Sequence, residues 1–494
     1  MKTTFRAAVA LLLGLTASLV VVPVSAAGAT ERANPKEWDA RIAPIVKKVE
    51  KLRGLKFDHP VPVDFLTAKA FEKKVSVDDK DLSKDDKKQL AQSTKFLRAL
   101  GLVHGDLDLL DATNELSTSG TLAYYSPDDK RITIKGKKLD VETKVTVAHE
   151  LTHALQDQHF DLTKLQETAD EHNASAPLDA LVEGDATRIE NDYVDGLSKK
   201  DQDAYYGTQE PAGEVTPGAA GTSAAPDAPS DAPTNDVPQV LQILQMAPYE
   251  FGPTMVETVL AAGDEAAVNK LFTTPPTTEQ QFVNPITLLR HEAGKKVSTP
   301  KLAKGEKQIR KPDPFGAFGL YLMLASRIDP LVALHAVDAW GGDAERVYEK
   351  KVDGKKTVCV RADFTGRSRS DTDVIENALQ LWAAAMPAGS AKVTAKGSLV
   401  ELVSCDPGAD APAAPNDLEI PTALALFRAE FEQQALDHGL PKDDAECVGD
   451  TYVYSPSLLS WLRSIGDTEP TDAQYQQIQD LQIAALDHCG YGVG

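Results

Sequence analysis

The strongest chemical pattern in the chain is His149-Glu150-Leu151-Thr152-His153. On a helix, two histidines four residues apart differ by only about 40° in azimuth, so both imidazoles project the same way. They can then take two corners of a tetrahedral zinc site with bonds of about 2.0–2.1 Å. Glu150 cannot point at the same corner as its neighbour His149. It can reach a water held by the metal and serve as general base. Zinc lowers the pKa of such a water toward about 7. The chemistry implied is hydrolytic attack on a carbonyl, with the proton passing on to the leaving amine.

A hydrolytic zinc needs a third protein ligand and an open position. Two residues compete for that role. Glu183, in Leu181-Val182-Glu183-Gly184-Asp185-Ala186, lies on an apolar helical run beginning near Pro177, and Gly184 beside it permits close backbone approach. The bland reading is a solvated glutamate on a helix face. His159 has the offset from His153 seen in metzincins, but Gln156 stands where those proteins have a helix-ending glycine. A helix continuing through Gln156 turns His159 about 240° away from His153, so Glu183 is preferred. Asp157 and Asp185 are candidates to orient the ligand histidines. Tyr193, Tyr205, His291 and His335 are residue types able to stabilise an oxyanion.

The positioning elements follow from periodicity and breakers. Asp140 is a suitable N-cap for a helix in which Val141, Val145, Ala148 and Leu155 form one apolar row and Val147, Leu151 and Ala154 a second. A helix apolar around most of its girth is buried, so its polar residues must meet polar partners. Upstream, Pro35 to Leu55 reads as an amphipathic helix, Pro62 to Leu66 as a strand, and Lys87 to Leu102 as a helix. Leu122–Tyr125 and Arg131–Ile134 flank a Pro/Asp turn and read as a hairpin. Residues 208–236 are Pro, Ala, Gly, Ser, Thr and Asp with almost no large apolar residue, the composition of a disordered insertion. Helices are expected from Val237 to Leu271 and from Phe315 to Trp340. Strands are expected at Arg346–Tyr348, Thr357–Ala362 and Leu399–Ser404, with a helix at Asp373–Met386. Residues 406–417 read as a linker, and the chain from Pro421 onward as mostly helical.

Lys2 and Arg6, the apolar run Ala7–Val22 and the small residues Val24-Ser25-Ala26-Ala27 make residues 1–27 a signal peptide. No later stretch is long and apolar enough to span a bilayer. The formal net charge of −22 over 494 residues argues against nucleic acid or an anionic membrane as partner. Four cysteines in an exported chain permit three disulfide pairings. Cys359–Cys405 and Cys447–Cys489 are preferred because each pair stays within one C-terminal unit.

The run His149 to Leu162 resembles the gluzincin branch of the zincin metallopeptidases, in which a downstream glutamate is the third ligand. More narrowly, it is similar to a family of exported bacterial zinc metallopeptidases. There H-E-x-x-H-A-L-Q-D-Q is followed by A-L-x-E-G-D-A, matched here by Ala180–Ala186. Phe272–Gln280 and Trp340-Gly341-Gly342-Asp343 match further, so the likeness runs from about Val61 to Ala362. It implies zinc at His149, His153 and Glu183, with Glu150 as base. Two positions depart from it. Thr187 stands where thermolysin-like enzymes have an aspartate, leaving Asp185 for the orienting role. Gln281–Pro285 lacks the family's His-Pro.

The expectation is therefore an α+β chain. It has a zincin-like catalytic lobe (34–207), a second lobe that is helical and then α+β (237–405), and a helical, disulfide-stapled tail (418–494). The expected activity is secreted zinc-dependent hydrolysis of a peptide or protein substrate, with contact to the cell wall compatible with export. The alternatives are a catalytically silent metal-binding envelope protein and a zinc hydrolase acting on a non-peptide amide.

Overall fold

The computed structural model describes residues 34–208, 237–352, 354–465 and 470–492. The expected signal peptide, and all but the first residue of the expected insertion, lie outside these. The N-terminal part runs α1 (Ala43–Arg53), β1 (Val63–Leu66), α2 (Ala68–Val75), α3 (Lys84–Ala99), α4 (Leu109–Thr118), β2 (Ala123–Ser126), β3 (Arg131–Lys135), α5 (Val141–Phe160), α6 (Leu162–His172), α7 (Ser175–Asp195) and α8 (Lys199–Thr208). The second part begins with α9 (Gln239–Ala261), α10 (Glu265–Thr273), α11 (Gln280–Val283), α12 (Ile286–Leu289), β4 (Lys307–Gln308), α13 (Ala317–Ala325) and α14 (Pro330–Asp338). It continues with β5 (Trp340–Val352), β6 (Lys355–Gly366), α15 (Arg369–Ala385), β7 (Ala391–Lys396) and β8 (Leu399–Cys405). Four helices close the chain: α16 (Glu419–Asp437), α17 (Lys442–Val453), α18 (Pro456–Ile465) and α19 (Asp472–His488).

Local signals set most boundaries. Asp140 accepts from the Thr143 backbone N–H at 3.0 Å and starts α5 as expected. Helix α1 begins only at Ala43, with Pro44 in its first turn, where a missing N–H costs no hydrogen bond. Ser83 and Asp86 form a capping box that starts α3 slightly earlier than its apolar pattern implies. The strand expected near Pro62 is β1, which pairs in parallel with β3, and β3 pairs antiparallel with β2. In the resulting order β1-β3-β2, strand β2 is an edge.

The second sheet is antiparallel, in the order β4-β5-β6-β8-β7. Its central strands extend well beyond the segments expected from sequence. Trp340 belongs to β5, not to a helix. There Gly342 adopts φ +152°, and a Cβ on it would fall 2.3 Å from the Lys295 carbonyl oxygen. Strand β7 carries mostly small and charged residues that stay partly exposed, so it lacked an apolar pattern to announce it.

Two main apolar cores result. The smaller joins Ile45 and Val49 of α1, Ile132 and Ile134 of β3, and Leu151 and Leu155 of α5. The larger joins Phe251 and Met255 of α9, Tyr321 of α13, Trp382 of α15 and Phe427 of α16. Helix α7 belongs to both: Leu178, Leu181 and Val182 enter the larger core, Ile189, Tyr193 and Val194 the smaller. Both expected disulfides are present. Cys359–Cys405 joins directly paired residues of β6 and β8, and Cys447–Cys489 joins α17 to the end of α19. No helix among the described residues is long and apolar enough to cross a membrane.

The segments Phe272–Gln280 and Trp340–Asp343 meet at the start of α13. Glu279 accepts from the Phe318 and Gly319 backbone N–H groups, and Asp343 from those of Phe315 and Gly316 and from the Trp340 indole. Burial pushes the Glu279 carboxyl up to about 8 and that of Asp343 to about 6. It likewise lifts Glu250, Glu257 and Glu430 to about 7. An acid whose folded pKa is raised holds its proton in the native state while the unfolded chain has lost it. Stability therefore falls as pH rises from the ordinary carboxylate range to about 8. Thermal unfolding of metal-free protein should give a lower Tm at pH 8 than at pH 5.5. Glu279→Gln should flatten part of that slope.

Candidate metal centre

Helices α5 and α7 pack side by side, and their facing side chains build the centre. His149 Nε2 lies 3.1 Å from Glu183 Oε2, His153 Nε2 lies 3.1 Å from the same oxygen, and the two Nε2 atoms are 2.9 Å apart. Among the described residues this is the one group of His, Cys, Asp or Glu with ligand atoms close enough to share a metal ion. A tetrahedral ion with bonds of about 2.0–2.1 Å needs donors roughly 3.3 Å apart. The observed triangle needs to open by only a few tenths of an ångström to meet that. The three residues are 2, 6 and 3% exposed, in the order His149, His153, Glu183.

The rings are held from behind. His149 Nδ1 is 3.0 Å from Glu190 Oε2, and His153 Nδ1 is 3.0 Å from Gln156 Oε1. A carboxylate and an amide oxygen only accept, so each Nδ1 carries the hydrogen and each Nε2 is left to face Glu183. Gln156 is itself fixed, donating to the Val182 carbonyl at 3.0 Å and to Asp185 at 2.9 Å. Asp185 in turn accepts from Arg53 at 2.8 Å and Arg188 at 3.1 Å. Asp185 thus acts on His153 through Gln156, and Asp157 touches neither ring. Asp157 accepts instead from the Tyr125 hydroxyl, the Lys130 ammonium and the Leu162 backbone N–H. Glu190 was not anticipated. Its signal is the spacing of seven from Glu183, which returns it to the same helix face.

Burial opposes charge throughout the cluster, and mutual contact overrides it. Desolvation disfavours a charged His149 ring, yet hydrogen bonds to Glu183 and Glu190 hold its pKa well above the ordinary value. Burial would raise Glu183, but His153 and His149 bring it down to about 2. The pocket therefore favours positive charge.

Glu150 sits beside the triangle, 5% exposed, and accepts from the Tyr125 backbone N–H of edge strand β2 at 2.5 Å. His159 is elsewhere. Helix α5 continues to Phe160, and His159 Nε2 lies 2.8 Å from the Lys56 carbonyl oxygen. Nor do the expected oxyanion donors approach. Tyr193 and Tyr205 are buried in the smaller core, His291 is exposed, and His335 stacks on Tyr454. The ring that reaches the cluster is Tyr249 of α9, centred 6.0 Å from the His149 ring. Its helix is held there by a backbone contact. A Cβ on Gly184 would fall 2.2 Å from the Gly252 carbonyl carbon, and Gly252 is nearly one turn beyond Tyr249.

No family model matches the chain, and no curated protein or solved structure matches it either.

Two substitutions probe this construction. Glu190→Ala should weaken binding of a divalent metal ion by about 10–100-fold in a chelator competition, because the His149 ring loses its acceptor. Gly252→Ala should cost about 1–3 kcal/mol or more in urea unfolding, because the new methyl meets backbone and not a movable side chain.

Proposed function

We propose that the chain is a secreted zinc-dependent peptidase of the gluzincin type, its N-terminal part forming a zincin-like catalytic lobe. The observation that carries this is the meeting of His149, His153 and Glu183 at one point, with the Glu150 carboxylate alongside. A His/His/Glu donor set is one that catalytic zinc uses, leaving a fourth position open. The charge inside the cluster supports a divalent cation, and the N-terminal 27 residues and two disulfides support export.

The residues divide the work. When bound, zinc supplies Lewis-acid polarisation of a carbonyl and makes water a competent nucleophile at neutral pH. His149, His153 and Glu183 would hold the ion, and Glu190 and Gln156 fix the two rings. Glu150 takes the proton of the attacking water and returns it to the leaving amine. Edge strand β2 turns backbone groups of Ala123 and Tyr125 outward, and apart from the Tyr125 N–H, which Glu150 takes, an extended peptide can lie on them. With a net charge of −22, nucleic acid is not a fitting partner.

One observation favours a second reading, in which the metal is retained without turnover. All three ligands and Glu150 are at most 6% exposed. The two readings part in a single experiment. Purified mature protein should hold about one zinc per chain and cleave a peptide library. Glu150→Gln should keep the metal and lose at least about 10²-fold in kcat, while His153→Ala should lose the metal. Full zinc content with no cleavage of peptides by the wild type would favour the silent site. Cleavage confined to a non-peptide amide, read by product mass, would favour the other alternative.

A further inference from the structure

Tyr125 is gripped twice by the same face of α5. Its backbone N–H donates to Glu150 at 2.5 Å and its hydroxyl to Asp157 at 2.6 Å. Glu150 and Asp157 are seven residues apart, so they lie about 20° apart in azimuth and two turns apart along the axis. Asp157 is a fixed post. Its side chain is 1% exposed, it also receives the Lys130 ammonium at 2.8 Å, and it accepts the Leu162 N–H at 3.0 Å. Lys130 ends the β2–β3 turn with φ +50°, and its ammonium reaches Asp157 on the helix. The carboxylate and the ammonium therefore hold both the strand and the turn of one hairpin.

The strand so held is an edge of its sheet. Leu122 accepts from Lys135 of β3 at 2.7 Å, so alternate residues from Leu122 face β3. Ala123 and Tyr125 then direct their backbone groups outward. The outward N–H of Tyr125 ends at Glu150. A sheet edge lacks a neighbour to fix its height over the helix, and here the phenol of Tyr125 does so.

We infer that Asp157 and the Tyr125 hydroxyl form a positioning clamp that sets edge strand β2 against α5, fixing the Tyr125 N–H at the Glu150 carboxylate and the edge on which substrate lies. Asp157 touches neither metal ligand, so it works through the strand. Burial and the adjacent Asp157 carboxylate both keep Tyr125 a neutral phenol, which is the donor form the clamp needs.

The catalytic consequence rests on the peptidase reading; the clamp itself does not. Tyr125→Phe removes only the hydroxyl, and Asp157→Asn removes the charge at constant volume. In both, the Tyr125 amide of metal-free full-length protein should exchange its hydrogen at least about tenfold faster, while the amides of α5 keep wild-type rates. Unchanged Tyr125 exchange would overturn the clamp whatever the activity. With zinc bound, both variants should keep wild-type metal content. On a peptide that the wild type cleaves, KM should rise more than kcat falls, and the double variant should be no worse than the poorer single one. Losses that multiply in the double variant, or a shift in the unfolding midpoint alone with kcat and KM unchanged, would reduce the contact to a structural brace and overturn the proposal. If the wild type cleaves nothing, the peptidase reading fails and the exchange result still decides the clamp.

Discussion

Two carboxylates, Glu183 and Glu190, are buried against opposite nitrogens of one imidazole. Placing carboxylates out of water costs several kcal/mol each unless positive charge enters the same volume. The rest of the site depends on that constraint. Contact with the two carboxylates therefore favours protons on the rings against burial, and raises the His149 pKa well above its ordinary value. A divalent cation meets the same requirement with one particle and displaces those protons, so metal and proton compete for the same space. The next layer repeats the logic: Asp185, fully buried, is neutralised by Arg53 and Arg188 and passes its orientation to His153 through Gln156.

That charge arrangement holds only if α5 and α7 keep a fixed offset, and the packing supplies it from two sides. The C-terminal half of α7 shares a core with α5, and the N-terminal half shares the larger core with α9. Glu183 lies at the changeover. Close contact of Gly184 with Gly252 lets α9 approach to backbone distance, which brings Tyr249 beside His149. A larger residue at either glycine would push on Glu183, the neighbour of Gly184. Side chains of α5 that face the sheet, Glu150 and Asp157, then meet strand β2. The centre is thus a three-way junction of a helix pair, a crossing helix and a sheet edge.

What was legible beforehand follows from this geometry. The motif, the Asp140 cap and the rejection of His159 rest on spacing within one helix, and the hairpin on the turn between adjacent strands, all of which a sequence shows; Glu183, on another helix, came from its apolar run and the resemblance. The disulfide pairing was readable for a related reason, since each pair closes a short span within one unit. Glu190, Tyr249 and the job of Gln156 depend on how separate helices cross, and no local pattern encodes that. Asp157 and Asp185, expected as candidates to orient the histidines, are both buried, but Asp185 reaches His153 only through Gln156 and Asp157 binds Tyr125, Lys130 and the Leu162 N–H instead. Strand β7 went unseen because its small and charged residues, none fully buried, form no clear apolar pattern.

The place of Glu190, the acceptor behind His149, follows from helix geometry too. In the thermolysin-like pattern the residue four beyond the ligand glutamate is an aspartate. Here that residue is Thr187, 1% exposed, its hydroxyl without a hydrogen-bond partner. Four residues rotate the chain by about 40° from Glu183, whereas seven rotate it by about 20° the other way. Either step stays on the face that looks at α5, so either can present an acceptor to the far nitrogen of His149. The second step lies a turn further along and requires the longer reach of a glutamate. What the imidazole demands is an anionic acceptor on its Nδ1 side, not a residue at a set offset. The helix face offers two places for it, and in this chain the farther one is occupied.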